Sequence, residues 1–297
     1  MGAITTNKTI QIGDTTVTRI VEREGPWHNP HEVFPDSTPK IVQKHLDALP
    51  DYVVDRGTGK ICLTFQSFLL RTPHHNILID TCVGNHSTRR KGLLYPKDRW
   101  LTEFHNAGVT FENIDYVFCT HLHVDHVGWN TRVENGRLVP TFPNAKYIIG
   151  KREYEYWVQW NKKFGPHPSG PSFEECVLPI LEADRAILVN DDFELNDLVH
   201  LSPAPGHTPG QCCANLSSNG KKAIFAGDAL HHPLQAFEPQ WSTSKCEDPK
   251  MAIVSRQKIL ESCADTETIL IPAHFPGNTA GNVYSASEKF VFKFIEK

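Results

Sequence analysis

Residues 120–129 read THLHVDHVGW, which sets His121, His123, Asp125 and His126 close together among apolar neighbours. A single histidine among the sixteen of this chain is an ordinary surface or core residue. Four such groups in one turn are different. Protonated imidazoles this close would repel one another, whereas neutral imidazoles and a carboxylate can share a divalent cation. Three more groups of the same kind follow: His207 in SPAPGHTPGQ, Asp228 after AIFAG and His274 after TILIPA. One metal with three protein ligands uses only part of the set, so seven donors suit two ions. The natural division gives His121, His123 and His207 to one ion, Asp125, His126 and His274 to the other, and Asp228 as the bridge. A bridging carboxylate and hydroxide would hold such ions about 3.5–4 Å apart. Nitrogen and carboxylate donors without thiolate suit Zn(II) first, with Mn, Fe, Co or Ni able to occupy similar sites.

The elements that must carry these groups are legible as short apolar runs with the length and branching of buried strands: 76–80, 116–120, 147–150, 223–227 and 268–273. A helix is predicted over 248–263, with Asp248 as cap, Pro249 in the first turn, and Ala252, Ile253, Arg256, Ile259, Leu260 and Cys263 on one face. Mixed strands and helices imply an α/β layered architecture. Asp80, His121, His207, Asp228 and His274 each follow a predicted strand, and strand exits are where α/β proteins place their sites. His121 and His123 can point together from the turn, with Asp125 and His126 at the start of the next helix.

A chain of 297 residues with 39% apolar and 22% charged content can bury a substantial core. We read one domain over 1–297. The Pro-, Gly- and aromatic-rich stretches 26–60 and 152–182 are expected to carry short helices and loops, as coverings of the site or as a subunit contact in a homodimer. A net charge of -4 without a basic tract excludes nucleic acid as a partner. No run is long enough to span a membrane, and the start lacks a signal sequence, so the chain reads as soluble and cytoplasmic. Eight cysteines without a Cys-x-x-Cys pair read as reduced thiols, which suits that compartment. Gly2 and Thr6 match the myristoylation pattern, which informs only in a eukaryotic source. The glycosylation triplets at Asn7, Asn85 and Asn215 say nothing without a secretion signal.

His-x-His-x-Asp-His at 121–126, Gly-His-Thr-Pro-Gly at 206–210, Gly-Asp at 227–228 and Ala-His at 273–274, in this order, resemble the metallo-β-lactamase superfamily of dinuclear metallohydrolases. The resemblance spans residues 76 to 275. It implies a four-layered αβ/βα sandwich with the metals at one edge of two facing sheets. LIDTCVGN at 78–85 resembles the family's Asp-Thr-Gly segment, with Cys82 where glycine is common. Asp80 would then hydrogen-bond a ligand histidine from behind and fix its tautomer.

Two ions lower the pKa of shared water toward about 7 and polarise the oxygen of a substrate. The nucleophile would be a bridging hydroxide, and no Gly-x-Ser-x-Gly elbow is present. GDALHHPLQ after Asp228 is similar to the branch containing methyl parathion hydrolase and related lactonases. That implies a dinuclear zinc hydrolase of small lactones, esters or organophosphates. Asp125, Asp228 and His231 are the candidates for direct roles. His231 would donate a hydrogen bond to the developing oxyanion or leaving group, while His231 and His232 could equally only solvate the strand exit. Tyr154, Tyr156, Trp157, Trp160 and Phe164 read as core packing or as an apolar pocket wall, and Trp129 is another wall candidate. The rival readings are an iron-dependent oxidoreductase of the persulfide dioxygenase kind, which uses one metal, and a thioester hydrolase like glyoxalase II.

Overall fold

The computed structural model describes residues 9–85, 96, 98–287 and 289–296. The myristoylation pattern and Asn7 lie outside them. Two compact units are present: one comprises Glu24–Thr64 with the chain from Glu194 onward, the other Thr9–Arg23 with Phe65–Phe193. Both are assembled from discontinuous stretches, so no linker composition marks a boundary in the sequence.

The five apolar runs form strands Asn76–Ile79, Tyr116–Cys119, Lys146–Gly150, Lys221–Gly227 and Ile269–Pro272. All take part in parallel pairing: the first three pair in succession, and the last two pair with each other. Parallel strands are buried on both faces and read as continuous apolar runs. An eight-stranded sheet runs in the order Thr9–Ile12, Thr15–His28, Lys60–Arg71, Asn76–Ile79, Tyr116–Cys119, Lys146–Gly150, Ala186–Val189, with Val54–Asp55 beside Lys60–Arg71. A six-stranded sheet is formed by Val199–Pro203, Cys212–Ser218, Lys221–Gly227, Ile269–Pro272, Gly281–Ala286 and Lys289–Phe294, paired in that order.

The helix Pro249–Cys263 starts where expected, with the Asp248 side chain accepting from the Met251 amide at 3.0 Å. Its buried face is Ala252, Ser255, Arg256, Ile259, Leu260 and Cys263. Arg256 is fully buried and donates to the carbonyls of Ala229, at 2.9 Å, and Pro239. It thereby ties the helix to the loop that begins at Asp228.

Stretch 26–60 carries two short helices, Pro30–Val33 and Pro39–Leu46. They bury Phe34, Val42 and Leu46 with Leu234 and Trp241 of the same unit. Stretch 152–182 differs from the expected short helices, because most of its first half is one fourteen-residue helix, Lys151–Phe164. Trp157 lies in the core of its unit with Phe173 and Cys176, and Tyr154, Tyr156 and Trp160 pack against that core. Trp129 is also core: it is 2% exposed and stacks on Trp100 at 4.8 Å. Among the described residues no helix is long and apolar enough to cross a membrane.

Candidate metal centre

In the unit built on Phe65–Phe193, the strand Tyr116–Cys119 delivers the chain directly into the histidine turn. His121, His123 and His126 are buried, and the Asp125 side chain keeps 20% of its surface exposed. Asp125 and His126 do not begin a helix, contrary to the expectation. Residues 124–126 form a turn closed by the His126 amide on the His123 carbonyl at 3.0 Å, followed by a short 3-10 helix at Gly128–Asn130. The sequence explains the shape: Gly128 packs so closely that a Cβ there would lie 1.9 Å from the Val83 carbonyl group. Three backbone bonds stitch the two loops together, from Thr81 N to His126 O, Gly128 N to Cys82 O and Trp129 N to Thr81 O, at 2.7–2.8 Å. Cys82 sits at φ 50°, left-handed backbone that favours glycine, which accounts for glycine being common there.

Asp80 fixes this turn from behind. Its carboxylate accepts from Thr120 N at 2.8 Å, Thr120 Oγ1 at 2.9 Å and His126 Nδ1 at 2.8 Å. The His126 proton therefore sits on Nδ1, and Nε2 carries a lone pair directed to the side of Asp125, whose Oδ2 is 3.8 Å away. Thr120 Oγ1 spends its proton on Asp80 and so accepts from His121 Nδ1 at 3.1 Å. That leaves His121 Nε2 facing His123 Nδ1 at 3.1 Å.

Two carboxylates that the sequence did not reveal hold the same turn. Glu153, 1% exposed, accepts from Leu122 N at 3.0 Å and Trp157 Nε1 at 2.7 Å, while Ser172 Oγ donates to Leu122 O at 3.2 Å. Both backbone groups between His121 and His123 are thus gripped by segment 152–182. Glu22, 2% exposed, accepts from the amides of Val83 and Gly84 and from Trp129 Nε1 at 3.0–3.2 Å. Their only sequence signal is a carboxylate embedded in an aromatic or apolar stretch.

In the unit that contains Glu194 onward, three strand exits converge on Asp228. Its Oδ2 lies 3.1 Å from His207 Nε2 and 3.1 Å from His231 Nε2, and its Oδ1 lies 3.0 Å from His274 Nε2. His274 Nδ1 donates to the Thr64 carbonyl at 2.8 Å, so a neutral ring turns the lone pair of Nε2 on the carboxylate. Two lone pairs facing at this distance need a cation between them. The buried, all-nitrogen and oxygen donor set therefore fits divalent metal. On the Oδ2 side a proton competes for such a position: burial lowers the pKa of His207, but the Asp228 charge and hydrogen bond outweigh it and push it up to about 10. Metal binding here must release that proton.

His231 and His232 are both pushed down to about 4, chiefly by burial, and are neutral at pH 7. His232 is structural. Its Nε2 donates to the Val53 carbonyl at 2.9 Å and its Nδ1 accepts from Leu234 N at 3.3 Å. His231 Nδ1 is buried and has no hydrogen-bond partner among the described residues.

The Metallo-beta-lactamase superfamily matches residues 66–274, and the chain belongs to it; it is a metal-dependent hydrolase by class. An N-acyl homoserine lactonase of Bacillus cereus is 31% identical over 220 residues, covering 70% of this chain and 79% of that protein. One from Bacillus thuringiensis is 24% identical over 230 residues, covering 73% and 83%. Among solved structures, hydrolase AbOPH of the β-lactamase superfamily aligns with TM-score 0.83 at 21% identity over 98% of both chains. AidC, a dizinc quorum-quenching lactonase in complex with an N-acyl homoserine product, aligns with TM-score 0.77 at 24% identity, over 98% of this chain and 97% of that one. The α/β expectation and the family fold stand on these likenesses.

Proposed function

We propose that the two groups of ligands serve one dinuclear zinc centre that hydrolyses small lactones, with esters and organophosphates as secondary substrates. His121, His123 and His207 hold one ion, Asp125, His126 and His274 the other, and Asp228 bridges. The observation that carries this reading is the division of Asp228, whose Oδ2 faces His207 and whose Oδ1 faces His274. A carboxylate so shared can give one oxygen to each ion. When bound, the ions supply an acidified water and polarise the oxygen under attack.

The chain's own residues keep these donors aimed. Asp80 and Thr64 hold the protons of His126 and His274 on Nδ1, and Glu153 and Ser172 immobilise the backbone between His121 and His123. Presenting ligands in fixed tautomers reduces the ordering needed on metal capture. Asp125, the most exposed of the group, marks the side open to substrate. We assign His231 to holding Asp228 rather than to donating toward substrate, because a neutral ring has one N–H and Asp228 Oδ2 accepts it. The lactone preference is supported by the lactonase relatives.

The test is a panel of homoserine lactones, aryl esters, a phosphotriester and a thioester, assayed with zinc-loaded protein. The lactones are expected to show the highest kcat/KM. Preferred thioester turnover, or no turnover of any member, contradicts the reading.

A further inference from the structure

His207 is clamped by a segment that no motif covers. The amides of Glu247 and Asp248 donate to the carbonyls of His207 and Gly206 at 3.0 and 2.9 Å. Ser255 Oγ, on the following helix, donates to the Pro205 carbonyl at 2.6 Å. Gly206 itself, at φ 132°, lies so close to this helix that a Cβ would meet the Ala252 amide nitrogen at 2.1 Å. These contacts fix the backbone of His207 but not the rotation of its ring. On its Nδ1 side the ring meets Cys246, whose Sγ lies 3.6 Å from His207 Nδ1 and 3.6 Å from Thr243 Oγ1.

The geometry points to Cys246 as the positioning residue for the His207 ligand: its sulfur accepts the Nδ1 proton and so presents the Nε2 lone pair to metal beside Asp228. This rests on the reading of His207 as a ligand. With Nε2 committed to an ion, the neutral ring carries its proton on Nδ1, and Cys246 Sγ, 3.6 Å away, can accept it. It does the task that Asp80 does for His126 and the Thr64 carbonyl for His274, with a softer atom. Of the eight cysteines, seven are buried and Cys246 alone is partly exposed. It is therefore the thiol that a soluble reagent reaches first in the folded protein.

Zinc affinity measured by chelator competition on full-length Cys246→Ala is expected to fall about tenfold, the lower end for loss of a group behind a metal ligand. Cys246→Ser, which keeps an acceptor, should fall less. Iodoacetamide under native conditions should modify Cys246 ahead of the other thiols, as read by peptide mass spectrometry, and lower zinc affinity in step. If the parent binds zinc and both Cys246→Ala and the alkylated protein bind it equally well, Cys246 has no positioning role. If the parent binds no zinc, the metal reading fails and this one with it. Alkylation keeps the question decidable should Cys246→Ala not fold.

Discussion

Asp228→Ala is expected to abolish most turnover, by several orders of magnitude, while circular dichroism stays that of the parent. Each thousandfold loss corresponds to about 4 kcal/mol of transition-state stabilisation. The size follows from convergence: three imidazole nitrogens lie within 3.0–3.1 Å of this one carboxylate. In the proposed centre, removing it would take a ligand from each ion together with its negative charge. The fold should survive, because Asp228 sits at a strand exit while the core of its unit is built from Leu230, Leu260, Leu270, Phe275 and Phe292. Zinc content and lactone hydrolysis measured on the same preparation check this. Unchanged turnover with metal still bound would remove Asp228 from the centre.

Metal removal by a chelator is the second large effect. Turnover should vanish and return on adding zinc, with circular dichroism nearly constant throughout. Structural zinc sites have closed shells and lose their fold on stripping, whereas catalytic sites keep a position open. Here the histidine turn is held by bonds that need no ion, from Thr81 N to His126 O, Leu122 N to Glu153 and Thr120 N to Asp80. A modest fall in melting temperature is expected, since an ion that binds only the folded chain stabilises it by mass action. Unfolding on chelation would instead make the metal structural.

The histidine-aspartate turn and the parallel strands were legible for one reason: both leave dense local signals. A histidine-aspartate turn is compact in sequence, and strands buried on two faces are unbroken apolar runs. The long strand Lys60–Arg71 was not legible, although it is buried almost throughout. Thr64, Gln66 and Ser67 interrupt its apolar pattern, and their burial depends on partners far away in sequence: Glu24, Arg19 and Trp100. The supporting residues were hidden for the same cause. Glu22, Glu153 and Cys246 reach Trp129, Leu122 and His207 across 31 to 107 positions, which spacing cannot show. Asp80 was legible as a strand-exit group, while its place behind a ligand histidine was implied only by the family segment. The turn at Asp125 and His126 was misread as a helix start because the close approach of Gly128 to Val83 is a tertiary event.

Anomalous diffraction at the zinc edge from crystals grown with zinc is the decisive measurement. Two peaks about 3.5–4 Å apart are expected, one bound by His121, His123 and His207, the other by Asp125, His126 and His274, with an oxygen of Asp228 on each. A single peak, or zinc bound away from these seven side chains, would contradict it.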